Sequence, residues 1–271
     1  MVGITAYGGY IPRLRLSRMT VIQNMAWYFP VIMAVASGEK AVANWDEDSV
    51  SMAVAAAIDC LESRDRKAID AVFFASTTMP FADRLNAGIL ASALNAPEEL
   101  VMGADFGSCL KAGTTAVIAA AAAILSGQKE NVLVAASDLR KTKMATLAEM
   151  FTGDGAAAVL FGSRDVIAEF KGSFSTSHDF IDHYKGSSKE FDYFWEERWV
   201  RDEGYGKIIP EAIRGYLNKY SMKIGDFAKI IYPCYFTGTH RDIAKMLGIE
   251  PSKVQDNLHN VCGDTGTPHP L

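Results

Sequence analysis

GADFGSCLKAGTT, residues 103–115, is the stretch on which the fold turns. A short apolar run ends in the small turn Gly107-Ser108-Cys109, and the chain passes directly into an alanine-rich segment, residues 111–125 (KAGTTAVIAAAAAIL). That segment reads as a helix stopped at Ser126-Gly127, the glycine supplying a left-handed C-terminal cap. Its later turns are apolar on every face, which predicts a helix enclosed by protein, between two sheets or between a sheet and another helix layer. A thiol at the head of such a helix lies near unsatisfied N–H groups and the positive end of the dipole, both of which favour thiolate. Position alone leaves two readings of Cys109 open, a nucleophile and a buried inert thiol.

Working outward, the pattern alternates strand and helix with no Ser/Gly-rich or Pro-rich linker. Upstream come a strand at residues 4–7, a helix at 46–63 led by acidic residues, a strand at 71–75, a helix at 83–94 and a strand at 100–104. Downstream, residues 132–136 and 156–161 are continuous apolar runs, as in strands covered on both faces. The first half, residues 1–163, therefore reads as β-α-β-α-β around the enclosed helix. After Ser163 come a strand at 165–174, a polar and aromatic excursion at 175–206, a helix at 209–220, a strand at 227–232 and a helix at 240–247 closed by Gly248. Residues 164–271 thus predict a second unit of the same kind, with no repeat of identical residues.

Composition narrows the function. The 271 residues are 49% hydrophobic and 22% charged, which predicts a folded globular protein rather than extended disorder. A net charge of −5 without a basic block argues against nucleic acid as a partner. The longest apolar run, residues 116–125, is about half the roughly 20 residues a membrane span needs, so no membrane anchor is expected. The N-terminus does not read as a signal peptide, and cytoplasmic localisation is the expectation. Cys60, Cys109, Cys234 and Cys262 are irregularly spaced, which fits reduced thiols better than a disulfide framework or zinc ribbon. His178 and His183 are not spaced as metal ligands, and no metal site is expected.

The segment SCLKAGTT around Cys109, together with GDGAAAVL at residues 153–160, resembles the thiolase superfamily. The first resembles the nucleophile segment of bacterial and archaeal 3-hydroxy-3-methylglutaryl-CoA synthases, and the second a glycine-rich turn shared with ketoacyl carrier-protein synthases. The resemblance runs from the N-terminus to about Leu271 and takes in AKMLG at 244–248 and the W-x-E-x-R-like stretch around Trp195 to Arg198. It implies a layered α-β-α-β-α fold built from two β-α-β-α-β halves, a cysteine acyl-enzyme at Cys109, and coenzyme A as co-substrate with no bound cofactor.

The chain departs from that branch at definite places. Where a catalytic glutamate follows the second strand, it has Ser76-Thr77-Thr78-Met79-Pro80, with Thr77 in the glutamate's place, and a hydroxyl cannot shuttle protons as a carboxylate does. No histidine follows the strand ending Ile230-Ile231-Tyr232-Pro233-Cys234-Tyr235, and His240 reads as a solvated helix-start residue. The segment from Asn260 to Leu271, NVCGDTGTPHPL, is instead similar to a thiolase N-V-x-G…H-P segment, one residue shorter and with Pro268 before the histidine. The resemblance gives His269 the role of activating the CoA thiol and holding the thioester oxygen. Superfamily chains usually continue past this point with a helix and two strands, so the second half is expected to be incomplete, an exposed sheet edge favouring another subunit. The second thiolase cysteine would lie there, leaving Cys262 and Cys234 either as stand-ins or as structural thiols.

These features predict an acyltransferase of thiolase type, cleaving a β-ketoacyl-CoA with free CoA or running the reverse Claisen condensation through Cys109. Its resemblance extends to the benzoylsuccinyl-CoA type of thiolase subunit from anaerobic aromatic degradation. Two alternatives stand beside it, a 3-hydroxy-3-methylglutaryl-CoA synthase-like condensing enzyme and a non-catalytic scaffold subunit of an acyl-CoA enzyme complex. The resemblance also implies a homodimer built through the first half, larger hetero-oligomers, and a small zinc-ribbon and OB-fold partner protein. The run FDYFWEERWVR at 191–201 reads as an amphipathic segment packed by Trp195 and Trp199, with a carboxylate-binding role for Arg198 and Arg201 as the other reading. Arg13, Arg15, Arg140 and Lys141 are unranked candidates for CoA phosphates, and the CoA-binding residues stay unassigned.

Overall fold

The computed structural model describes residues 1–97, 101–234 and 236–271, with Thr237 described through its backbone alone. Leu100, at the start of one expected strand, and Tyr235, at the end of another, lie outside the described residues. In chain order the elements begin β1 (Gly3–Tyr10), β2 (Leu14–Ser17), α1 (Arg18–Met25), β3 (Glu39–Val42), α2 (Ser49–Leu61), β4 (Ala71–Ala75), α3 (Asn86–Ala93), β5 (Met102–Phe106) and α4 (Ala112–Leu125). They continue with β6 (Val132–Asp138), α5 (Leu147–Phe151), β7 (Gly155–Gly162) and β8 (Ala168–Glu169).

Among the described residues one six-stranded sheet dominates, in the order β5-β4-β6-β7-β1-β8. β5, β4 and β6 run parallel, while β7, β1 and β8 alternate antiparallel. Successive side chains face opposite sides, and both sides are apolar, as the unbroken runs predicted. Val72, Phe74, Leu133, Ala135 and Leu160 pack with α2 and α3 on one face. Phe73, Val134, Val159 and Phe161 pack with α4 on the other. α2 begins at a capping box: Asp48 accepts the Ser51 N–H (2.7 Å) and Ser51 Oγ accepts the Asp48 N–H (2.8 Å), satisfying two end donors.

The expectation of an enclosed α4 needs correction. Ala116, Ala120, Ala121 and Ile124 are buried on the sheet, but Ala122 is exposed and Leu125 is 66% exposed. One face of the helix is buried and the other is not, because no second sheet lies across it among the described residues.

After β7 the chain is organised differently. The strand expected at 165–174 reduces to β8, paired with the first two residues of β1. A small hairpin follows, β9 (His183–Tyr184) with β10 (Tyr193–Phe194). Then α6 (Glu197–Trp199) runs through a π-helical stretch at Val200–Tyr205 into α7 (Gly206–Tyr220), with α8 (Thr237–Met246) beyond. The strand expected at 227–232 is a single bridge, Ile230 to Val254. Tyr232, Ile243, Ala244 and Ile249 form a small apolar cluster against α7. No described helix is long and apolar enough to cross a membrane.

Candidate active site

The three parallel strands deliver their carboxyl ends to one edge of the sheet, where open α/β folds place ligands. β5 leads to Cys109, β4 to Ser76-Thr77-Thr78, and β6 ends at Asp138 and leads to Arg140. Cys109 is exposed, and its carbonyl accepts the Ala112 N–H (3.0 Å), closing the turn into α4. The thiol therefore belongs to the turn ahead of the first helical residue, not to the helix's first turn. Ser108 holds that turn with φ +72°, a left-handed conformation a serine adopts only where its surroundings impose it.

Two segments bracket the Cys109 turn. On one side, the Ser76 N–H donates to the Phe106 carbonyl (3.0 Å), so the 76–78 turn lies against Gly107. On the other, the 264–271 segment lies on α4, where a Cβ on Gly113 would sit 2.5 Å from the Thr267 carbonyl oxygen. Only glycine permits that approach.

That last segment is held between β3 and the loop before β7. Glu39 and Ala41 donate to the carbonyls of Asn260 (3.0 Å) and Cys262 (2.9 Å), Gly153 donates to Asp264 (3.0 Å), and the Asp264 N–H donates to Phe151 (2.7 Å). A Cβ on Gly153 would collide with the Cys262 carbonyl, which explains the first glycine of GDGAAA. Arg18, nearly fully buried, donates to the carbonyls of Met150, Ser37 and His259 and to Asn260 Oδ1.

His269, carried at the end of this segment, faces Thr265: its Nδ1 accepts from the Thr265 N–H (3.4 Å) and lies 3.3 Å from Thr265 Oγ1. This network assigns the ring proton to Nε2 and makes that nitrogen a donor. The ring packs against His259 at a centroid distance of 4.8 Å, the two planes tilted by 41°. His259 is buried with neither ring nitrogen partnered, and burial pushes it down to about 4, so it is neutral at pH 7. Beside them Asp264 forms an ion pair with Arg140 (3.2 Å). Burial works against the charged carboxylate, but Arg140 and the two imidazoles outweigh it and hold Asp264 at about 2.

The buried carboxylate of Asp138 was invisible to sequence reasoning. Its Oδ1 accepts from Ser76 Oγ (3.1 Å), the Thr77 N–H (2.7 Å), Thr77 Oγ1 (2.9 Å) and Thr78 Oγ1 (3.2 Å), and its Oδ2 from the Thr267 N–H (2.8 Å) and hydroxyl. The one available signal was its place after an apolar run at a strand's carboxyl end. Thr77, standing where the resemblance puts a glutamate, thus has its hydroxyl committed to Asp138.

Other candidates fall elsewhere. Arg140 is buried against Asp264 and does not face solvent phosphates, while Lys141 pairs with Glu190 (3.2 Å) and Arg15 with Glu39 (3.5 Å). His240 packs on Tyr232 (4.3 Å), accepting the Tyr232 hydroxyl at its carbonyl, so it is not the solvated residue expected. Cys234 and Cys262 are buried; burial drives Cys234 up to about 12 and raises Cys262, so both are thiols at neutral pH. Trp199 stacks on Phe180 (6.2 Å), and Glu196 caps α6 by accepting the N–H groups of Arg198 and Trp199. Arg201 pairs with Asp202 (2.8 Å), yet it also lines a cavity of about 530 Å³ with Glu197 and Asp242. The apolar walls of that cavity include Val31, Val35, Leu147, Phe151 and Phe236, and Phe151 adjoins Thr152, which bridges to Asp264.

The fold is thiolase-like, and with the likeness in sequence it defines an enzyme of the acyltransferase class. No known family profile matches the chain. The hydroxymethylglutaryl-CoA synthases of Methanopyrus kandleri and Pyrococcus furiosus are 28% and 29% identical over 263 and 264 residues, each covering 95% of this chain and 74% and 73% of the relative. In structure it is similar to 3-oxoacyl-(acyl carrier protein) synthase III, FabH, from Pseudomonas aeruginosa PAO1 (TM-score 0.83, 18% identity, 100% of this chain and 87% of that one). It is also similar in shape to cerulenin-bound OleA from Xanthomonas campestris (TM-score 0.88, 15% identity, 99% and 86%). The likeness in sequence favours the synthase-like branch of the superfamily over the thiolytic one.

Proposed function

We propose that the protein is a condensing acyltransferase of the hydroxymethylglutaryl-CoA synthase-like kind, acting through a Cys109 acyl-enzyme. The carrying observation is the placement of Cys109 at the carboxyl edge of three parallel strands, bracketed by the 76–78 turn and the 264–271 segment. In the first step Cys109 Sγ attacks the thioester carbonyl of an acyl-CoA, the new C–S bond forms, and CoA leaves as its thiol. In the second, the α-carbon of a second acyl-CoA gives up a proton and attacks the Cys109 thioester carbonyl, so that the C–C bond forms as the C–Sγ bond breaks and Cys109 takes up the proton as its thiol. The Nε2 proton of His269 suits it to donate to a thioester oxygen as charge develops there, and unsuits that nitrogen as the base that would activate a thiol. The cavity lined by Phe151, Phe236 and Arg201 combines apolar walls with charged side chains, a lining that suits the pantetheine arm of CoA.

One observation favours a second reading. Position 77, where the resemblance puts the synthase glutamate, holds a threonine whose hydroxyl is committed to Asp138, and thiolysis of a β-ketoacyl-CoA, including the benzoylsuccinyl-CoA type, needs no carboxylate at that position. Both readings place the acyl group on Cys109. For assembly, β5 forms one end of the sheet, and exposed Met102, Leu85 and Phe81 near it suit a second copy of this chain. A small zinc-ribbon and OB-fold partner and a cytoplasmic setting belong to the same proposal.

Intact mass spectrometry after incubation with acetyl-CoA, succinyl-CoA and benzoyl-CoA tests it. A mass increase of one acyl group, absent in Cys109→Ala, supports the acyl-enzyme; no adduct with any donor overturns it. Release of a shorter acyl-CoA from a β-ketoacyl-CoA and free CoA selects thiolysis, and a carbon–carbon-joined product from two acyl-CoAs selects condensation.

A further inference from the structure

We infer that Asp138 is a positioning residue that fixes both walls of the Cys109 site by tying the 76–78 turn to the 264–271 segment. The inference rests on the reading of Cys109 as an acyl carrier, but its physical content is separate. A fully buried carboxylate is costly unless its charge is met by hydrogen bonds, and Asp138 meets six donors from two segments distant in sequence. Four come from Ser76, Thr77 and Thr78, whose turn lies against Gly107 on one side of Cys109. Two come from Thr267, whose carbonyl lies over Gly113 on the other.

With its lone pairs occupied on both oxygens, the carboxylate holds groups in place and is not free to exchange a proton with a substrate. The Leu139 N–H donates to Thr78 Oγ1 (2.9 Å) and the Thr78 N–H to Ser76 Oγ (2.9 Å), so the hydroxyls on the Oδ1 side have their own fixed orientation. Asn at this position keeps the shape but replaces one acceptor with an N–H₂ group. Whichever oxygen is lost, N–H or O–H donors then face donors, and one wall is released.

Two chemical rates separate positioning from mere folding. Acylation of Cys109 by a reactive acyl-CoA requires the thioester carbonyl to be presented along one direction, whereas alkylation by iodoacetamide reads only the accessibility and charge of the thiol. Asp138→Asn is expected to slow acylation roughly tenfold to a hundredfold, the scale of a misplacement of order 1 Å, with alkylation within about twofold of wild type. Thr267→Val, which removes one hydroxyl, should slow acylation less, and Thr267→Ser, which restores it, should return the rate. Hydrogen exchange supplies a readout independent of activity: in Asp138→Asn the amide of Thr77 or that of Thr267, whichever lies on the released wall, should lose protection. The inference is overturned if Thr267→Val and Thr267→Ser acylate alike, or if Thr77 and Thr267 keep wild-type protection in a folded Asp138→Asn protein. If Asp138→Asn does not fold, the Val and Ser pair decides. A wild type that forms no acyl adduct defeats the functional reading alone, and the exchange result then decides the clamp.

Discussion

Up to Gly162 the chain builds a sheet whose two faces are both apolar; beyond it the chain builds helices and loops around a much smaller cluster. The first region buries Phe74, Phe161 and Leu133 almost completely, on strands paired along their length. The second gathers Tyr232, Ile243, Ala244 and Ile249 into one small buried cluster near α7 and α8, and its described strands are two-residue pairs or single bridges. Yet the candidate site needs both. The first region supplies Cys109 and Asp138 on rigid strand ends, and the second supplies Asp264, Thr267 and His269 on a segment held by hydrogen bonds to the first. The densely packed sheet thus carries the candidate nucleophile, and the sparsely packed region brings its last segment against the same turn, an arrangement suited to a site on rigid elements.

The largest expected effect breaks that comparison most directly. Phe74→Ala, in the central strand β4 and without solvent exposure, should cost about 3–5 kcal/mol and destabilise the whole protein. Ile243→Ala, 1% exposed in the small cluster, should instead release the amides of α7 and α8 while β1, β4, β6 and β7 stay protected. Hydrogen exchange on both variants checks this; equal loss of protection across the sheet in Ile243→Ala would show one cooperative unit.

The same contrast governs how much was legible in the sequence. β4 lies where its apolar run, residues 71–75, placed it, and α4 ends at the predicted Ser126-Gly127, because a covered strand and a glycine cap are local signals. The strands expected at 165–174 and 227–232 depended on partners that local pattern does not reveal, and they shrink to β8 and a bridge. In the candidate site, the place of Cys109 between a strand and a helix was legible from its neighbours. Asp138 was not, because its partners lie 61 and 129 residues away, and nothing near His259 signals that it will be buried beside His269.

A titration in each region opposes that in the other. Burial pushes Asp154, before β7, up to about 6, so the fold favours its protonated form. That contribution is present below pH 4 and is lost as pH rises to 6, about 3 kcal/mol in all. Burial holds His259, in the second region, down at about 4, so the fold favours the neutral ring. Its contribution, also about 3 kcal/mol, is present above pH 6.5 and is lost as pH falls to 4. His240, lowered by burial, adds in the same direction. The Asp264 loss falls below pH 4, outside this window. Wild-type urea midpoints should therefore vary little between pH 4 and 6.5. Asp154→Asn should lose stability steeply on acidification, and His259→Phe should gain it. Parallel pH profiles for both variants would mean that the two groups do not report on separate regions.

The smallest effect sharpens the comparison at the level of a helix end. Asp48 caps α2 through a two-way exchange with Ser51, and α2 packs its buried Ala53, Ala56 and Ala57 into the main apolar cluster. Asp48→Ala leaves the Ser51 N–H without its side-chain partner and should cost about 1 kcal/mol. Because α2 is part of the scaffold, that loss should appear in full as a lower melting temperature, by about 2–4 °C for a chain of this size. Glu196 caps α6 in the same manner, through the N–H groups of Arg198 and Trp199, but on an exposed segment of the second region. Glu196→Ala should speed amide exchange at Arg198 and Trp199 and leave the melting temperature unchanged. If the two substitutions lower the melting temperature equally, the helix that leads into α7 is as much part of the scaffold as α2, and the division at Gly162 does not describe how the protein unfolds.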